Sequence, residues 1–247
     1  MKKIFLAITL GFAAMACQTN DSESVLKEGK IVINASTRSD VNEANTSSKT
    51  VLGDELVPST RDLNVKIEGN NTTQTWATYA EFEQALDEGL TFASGLHTIT
   101  LSYGEKGVEG WSKPYFEGST VVDVPMYGLS VDADILVALA NSIITIETTE
   151  QFDGYFPTSS FKINGIDWDP SKKEMLFMNT GEVSVICNAK RTTGADATFE
   201  SKLQLKASTC HKVVFDLSTA GKAIVNITFD DEIVETVELE FELNENA

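Results

Sequence analysis

Two histidines and three cysteines are the side chains best suited to reaction chemistry in this 247-residue chain. His97 alternates with Leu96 and Thr98, and His211 opens the run His211-Lys212-Val213. A Ser-His-Asp triad needs a nucleophile on a defined turn with its base in reach. No Gly-x-Ser-x-Gly elbow is present. Both histidines therefore read as locally satisfied strand residues; no catalytic residue is assigned, and the chain is not expected to be an enzyme. Cys187 continues the alternation of Val183 and Val185, and Cys210 precedes His211. An even pair can bridge in an oxidising envelope, so Cys187 and Cys210 are a candidate disulfide, with two separately buried thiols as the alternative. No further Cys or His lies at ligand spacing, so no metal is expected. Asp167-Trp168-Asp169 with Glu174 lacks the glycine and acidic spacing of an EF-hand loop and reads as a solvated turn. Asp230-Asp231-Glu232 reads as a hairpin tip, and no cofactor is called for.

Binding chemistry is better represented. Trp111 lies in a loop punctuated by Gly104, Gly107 and Gly110, followed by Tyr115 and Phe116, while Trp168 sits between two aspartates. Exposed aromatic faces stack on the apolar faces of sugars, and acidic or amide side chains then fix the hydroxyls. Trp111, Tyr115 and Trp168 are thus candidate ligand contacts. The competing reading is that Tyr115 and Phe116 plug one end of a core.

The amino terminus supplies an address. Lys2 and Lys3, an apolar run over residues 4–14 and the small residues Ala14 and Ala16 form a secretory signal, expected over residues 1–16. Cys17 follows directly and resembles the lipobox cysteine of bacterial lipoproteins. By that resemblance it becomes the first mature residue and carries acyl chains, which hold firmly when more than one is present. Gln18 stands where an inner-membrane retention Asp would be, and Asp21 and Glu23 resemble an acidic surface-export signal. A lipid-anchored outer-membrane protein is expected, at the cell surface rather than on the periplasmic face. Removing Lys2 and Lys3 leaves 17 basic against 37 acidic residues, a formal charge of −20. Such a surface repels phosphate backbones, so no nucleic-acid partner is expected.

The elements that must position these residues are mostly strands. Residues 17–60 read as a lipid-anchored tether and linker with one short strand at 30–34. Arg38 and Arg61 lie in or beside the Ser/Thr/Asn-rich part and are open to trypsin-like cleavage. Leu63, Val65 and Ile67 alternate with polar residues as a half-buried strand does. One helix is expected, where Thr78 and Glu81 form a capping box ahead of Phe82, Ala85 and Leu86, with Gly89 as its stop. Strands are expected over 96–103, 120–124, 131–140, 143–148, 161–166, 175–178, 182–189, 198–206, 212–217, 223–229 and 236–243, with turns at 152–156 and 167–173. The last has Val237, Leu239, Phe241 and Leu243 on one face and Glu238, Glu240 and Glu242 on the other. The fold class is mainly β: two β-sandwich units, immunoglobulin-like or transthyretin-like, at 61–142 and 143–247, with one short helix.

Gly95-Leu96-His97-Thr98-Ile99-Thr100, Ser102-Tyr103-Gly104-Glu105, Pro114-Tyr115-Phe116-Glu117-Gly118-Ser119, and Ala140-Asn141-Ser142 ahead of Phe152 and Tyr155-Phe156 form a series. Behind a lipobox, that series resembles an uncharacterised family of Bacteroidetes outer-membrane lipoproteins, known as a domain of unknown function. His97 departs from it, standing where an aromatic such as Tyr is expected. The family is loosely similar to fimbrillin-type and transthyretin-like sandwich proteins. That family has no assigned activity to carry over. A terminal strand with one apolar face can complete a neighbour's sheet, and with the cleavable linker this points to a non-catalytic interaction or adhesion module with a protein partner, beside a fimbria-like assembly; the aromatic residues point instead to a glycan-binding lipoprotein of a sugar-uptake system.

Overall fold

The computed structural model describes residues 27–172, 174–218 and 223–239. Period-two alternation governs the chain, and the elements follow it. In chain order the strands are β1 (Glu28–Thr37), β2 (Asp40–Glu43), β3 (Lys49–Val51), β4 (Asn64–Gly69), β5 (Thr72–Trp76), β6 (Phe92–Ala93), β7 (Gly95–Tyr103), β8 (Gly110–Trp111), β9 (Phe116–Val124) and β10 (Ser130–Leu139). They continue as β11 (Ser142–Thr148), β12 (Thr158–Ile163), β13 (Ile166–Trp168), β14 (Leu176–Met178), β15 (Gly181–Lys190), β16 (Asp196–Leu205), β17 (Thr209–Ser218), β18 (Ala223–Phe229) and β19 (Glu232–Leu239). The α-helices among the described residues are α1 (Tyr79–Asp87) and α2 (Glu150–Tyr155).

A seven-stranded sheet runs β5-β4-β7-β9-β10-β1-β6. It is antiparallel except where β1 lies parallel to β10, Lys30 opposite Ser130 and Thr37 opposite Val137. A second sheet runs β19-β18-β17-β11-β14-β8, with β2 added at β17 and β3 at β2. The third, β13-β12-β15-β16, is antiparallel. The protein is mainly β, as its alternation requires.

Successive side chains of a strand point to opposite faces, and this lets β11 and β14 serve two cores. Ile144, Ile146, Leu176 and Met178 join Phe161, Val185, Phe199 and Phe215 between the second and third sheets. Ile143 and Phe177, one residue along, join Ile33, Ile67, Phe82, Ile99 and Val137 against the first sheet. Strands from before residue 143 also extend the second sheet: β8 pairs with β14, and β2 with β17. The expected units at 61–142 and 143–247 therefore share that sheet.

Local chemistry explains the helices. The Thr78 side chain accepts from the Glu81 N–H at 3.2 Å, and Glu81 reaches back to the Ala77 N–H at 3.0 Å. That closes the first turn of α1 and sets Phe82 edge-on to Trp76, ring centroids 5.0 Å apart. The second helix corrects the expectation of a single one. Thr149 caps α2 by accepting from the Phe152 N–H, and Phe152 and Phe156 fill the core.

Three further differences have physical causes. The stretch expected as tether and linker with one short strand at 30–34 holds that strand, longer, as β1, and also β2 and β3, because single apolar residues, Val41 and Leu52, are buried there among polar neighbours. The segment expected as one strand over 161–166 is the hairpin β12–β13, turned at Asn164-Gly165 with φ of 47° and 82°, the mirror-type turn that Asn-Gly favours. The final strand begins at Glu232 rather than Thr236; Phe241 and Leu243 lie outside the described residues.

Candidate functional site

The loop between β7 and β9 is built by backbone that leaves the ordinary regions. Gly104, Gly107 and Gly110 have φ of 84°, 84° and 146°, and Ser112 has 52°. At Gly104 no side chain fits, since a Cβ would lie 2.3 Å from the Pro114 carbonyl oxygen. The loop is pinned along its length. Asn179 donates its N–H to Glu109 at 2.9 Å and its side-chain amide to the Gly107 carbonyl at 3.0 Å. The Ser112 N–H donates to the Met175 carbonyl at 2.9 Å, and Trp111 pairs with Leu176. Buried Asn141 accepts from the Tyr115 N–H and donates to the Lys113 carbonyl at 3.0 Å.

This frame brings together two of the three expected aromatic contacts. Trp111 and Trp168, far apart in sequence, lie with ring centroids 5.1 Å apart and planes inclined by 33°. Lys172 places its ammonium 4.9 Å from the centre of the Trp111 ring, a cation–π distance. Both indoles are half-buried, resting on the core between the second and third sheets. Beside Trp111 in the chain, Ser112, Lys113 and Pro114 line a cleft of about 540 Å³ together with Glu55, Tyr103, Glu105 and Val108. Tyr103 is among the exposed aromatic side chains.

Tyr115, expected as a third ligand contact, is not part of that shelf. It is 8 % exposed, and its hydroxyl donates to Glu117. Lys106 lies 3.0 Å from the same carboxylate and 5.7 Å from the Tyr115 ring centre. Burial, then the adjacent carboxylate, push the Tyr115 hydroxyl well above its ordinary value. The same hydroxyl, followed by Lys106, holds Glu117 below the usual carboxylate range. With Phe116 fully buried, this segment braces a core.

His211 and Asp230 form an arrangement the sequence hid. His211 Nδ1 lies 2.6 Å from Asp230 Oδ2, and both residues are buried. The pair has two of the three parts of a hydrolytic triad, but the ring's other nitrogen is taken: His211 Nε2 accepts from the Lys206 N–H at 2.9 Å. That bond sets the tautomer with the proton on Nδ1, leaves no lone pair to serve as base, and makes the dyad a structural clamp. The Lys212 N–H donates to Asp230 Oδ1 at 3.0 Å, and Phe229 stacks on the imidazole. Antiparallel β17–β18 pairing carries Asp230 back beside His211; the signal was the hairpin itself. His97 is buried, with Nδ1 3.0 Å from the Gly95 carbonyl and its ring over Gly69.

Cys187 and Cys210 are free thiols in different surroundings, so the candidate disulfide is absent. Cys187 is in the core between the second and third sheets, and Cys210 packs against the other core. Asp169 is occupied by the Ser171 hydroxyl and N–H at 2.6 and 2.9 Å, which hold its carboxyl below the usual range. Among the described residues, no group of three or more His, Cys, Asp or Glu side chains is placed to hold a metal. Cys17 lies outside the described residues. Arg38 sits between β1 and β2, its N–H donating to the Val137 carbonyl, and Arg61 lies in a short 3-10 turn 3.7 Å from Glu83.

Comparison with solved structures finds similarity to a candidate polysaccharide-binding protein of Bacteroides thetaiotaomicron, at 10 % identity over 73 % of this chain and 90 % of that one, TM-score 0.40. A candidate adhesin of the same species matches at 10 % identity over 87 % and 99 %, TM-score 0.37. A candidate cell adhesion protein of Bacteroides ovatus matches at 12 % identity over 86 % and 98 %, TM-score 0.34. No curated protein matches the chain. A family model matches residues 27–245, most of the chain, and the protein belongs to that family, the domain of unknown function DUF4493.

Proposed function

We propose that this chain is a non-catalytic binding module of the cell envelope, held in the outer membrane through a lipid on Cys17 and displayed at the cell surface, and that it binds carbohydrate through the 103–115 loop. One observation carries the reading: the half-exposed Trp111–Trp168 pair lies next in the chain to Ser112, Lys113 and Pro114, which line a cleft that is already built. Hydrogen bonds with Asn179, Asn141 and the Met175 carbonyl hold the loop in place, so little ordering entropy is lost when a ligand arrives. Aromatic surface matches the apolar face of a sugar ring. Glu55, Glu105, Ser112 and Lys113 supply both donors and acceptors for hydroxyls. The strongly acidic chain disfavours polyanionic glycans, so the ligand class is a neutral one. The soluble part of the mature chain, residues 18–247 without the lipid-bearing Cys17, is expected to give a selective profile on an array of neutral plant, host and microbial glycans. A blank array would remove the carbohydrate reading.

A second reading, a protein partner in a fimbria-like assembly, rests on β19. It pairs with β18 and ends the path of the second sheet, with Ile233 63 % and Val234 41 % exposed. Such an edge accepts a strand from another chain. Sizing of the mature chain with and without residues 232–247, and after cleavage at Arg38 or Arg61, tests it; monomers in every case would remove it.

A further inference from the structure

The exposed apolar residues include a cluster at one end of the seven-stranded sheet. Leu96, Met126, Tyr127 and Leu129 are 68, 48, 65 and 60 % exposed. Gly95 pairs with Val124 and Leu96 with Asp123, so all four lie at the end where β9 turns into β10. The turn is tight: the Leu129 N–H donates to the Met126 carbonyl at 3.4 Å, and Tyr127 and Gly128 have φ of 64° and 68°. Turns of that hand favour Asn, Asp or Gly at both central positions, and a bulky aromatic there is unusual. The fold nevertheless holds a tyrosine at the outermost point.

The tip is fixed to the start of β1. The Gly128 N–H donates to the Glu28 carbonyl and the Lys30 N–H to the Leu129 carbonyl, both at 2.8 Å. The chain before β1 reaches Cys17 within residues 18–27, a span of at most ~35 Å at full extension. From the tip β7 runs away toward Tyr103, at the mouth of the cleft, roughly 30 Å distant at strand rise. The anchored end of the sheet is thus the apolar one, and the cleft is at the other.

We propose that the 126–129 turn, with Leu96, rests on the lipid surface that receives the acyl chains of Cys17, with Tyr127 at headgroup depth. Tyrosine favours that level of a bilayer. A contact of this kind turns a flexible tether into an orientation and points the Tyr103 and Trp111 end outward. With a formal charge of −20 on the mature chain, the contact is apolar rather than electrostatic, so a zwitterionic bilayer suits it. The inference rests on the anchor reading of Cys17, and the test separates the two by supplying an anchor of its own. A histidine tag replaces residues 1–17 and holds the chain on phosphatidylcholine vesicles containing a nickel-chelating lipid. In a Cys210→Ser background, an environment-sensitive fluorophore is attached at Met126→Cys or, as control, at Val51→Cys, an exposed position paired with Asp40 beyond the far end of β1. The expected result is a blue shift and intensity gain on vesicles for the label at 126 and none for the label at 51. Unchanged emission at 126, or equal shifts at both positions, overturns the proposal. A shift at 126 that grows with protein concentration without vesicles assigns the tip to a second copy of the chain, and also overturns it. Lipidation itself is read separately, from the intact mass of the membrane-extracted protein.

Discussion

Replacing Asp230 by alanine should destabilise the protein by about 4 kcal/mol. The carboxylate is 8 % exposed and accepts from His211 Nδ1 at 2.6 Å and the Lys212 N–H at 3.0 Å. Alanine leaves both donors buried without an acceptor, at ~1–3 kcal/mol each. It also occupies a left-handed backbone position, φ 50°, at a further ~1 kcal/mol. Asparagine keeps one acceptor oxygen and tolerates that backbone but turns its amide NH2 toward the second donor, so Asp230→Asn should lose about 2 kcal/mol, less than alanine. Urea unfolding followed by tryptophan fluorescence measures both, since Trp111 and Trp168 lie on the core that β17 helps to close. An Asp230→Ala variant within ~0.5 kcal/mol of wild type, or an Asp230→Asn variant as damaged as the alanine one, would refute the clamp.

Gly69→Ala would set a Cβ 2.4 Å from the His97 ring, which is buried and has a nitrogen 3.0 Å from the Gly95 carbonyl; a loss of roughly 2 kcal/mol is expected in a melting experiment, eased in Gly69→Ala/His97→Ala. Glu117 titrates below its unfolded value because the Tyr115 hydroxyl, then Lys106, favour its charged form. Its stabilisation is complete above the unfolded carboxylate value of about 4.3 and is lost as the pH falls through the lower folded value. Urea midpoints between pH 6 and 3 should therefore fall less steeply in Glu117→Gln than in wild type. Burial pushes the Cys187 thiol up to about 12 and raises Cys210 as well. A thiol reagent at pH 8 should leave Cys187 unmodified until denaturant is added, and intact mass under mild oxidation should show no internal bridge.

The strands were legible wherever alternation was strong, as in β7, β10, β15 and β17, because one buried face imposes its period on the sequence. The capping box of α1 was equally plain. β5, Thr72–Trp76, was not: it is nearly all polar and is held by backbone pairing with β4. β2 and β3 are hidden by Ser/Thr/Asn-rich composition, which marks loops on average but says nothing about the few side chains, Val41 and Leu52, that decide burial. The Asn164-Gly165 turn is present in the sequence, but the apolar residues on both sides of it read as one longer strand. At the candidate site, residue types could be read but partners could not. Trp111 meets Trp168 because β8 pairs with β14 and β13 folds back on β12, and His211 meets Asp230 through the β17–β18 register. Contacts of that kind are set by long-range pairing, which a local pattern does not encode. Tyr115 and Trp111 look alike in sequence; two hydrogen-bonding neighbours, Glu117 and Asn141, with the Lys106 ammonium over the Tyr115 ring, separate the buried brace from the half-exposed shelf.

The shelf itself is tested most directly by comparing the affinity of wild type and Trp111→Ala for the neutral glycan that binds best, with a melting curve on each to show that both are folded. Truncating a central aromatic contact costs at least about 2 kcal/mol, so binding should weaken roughly 30-fold. Equal affinity of the two folded proteins would contradict the carbohydrate site.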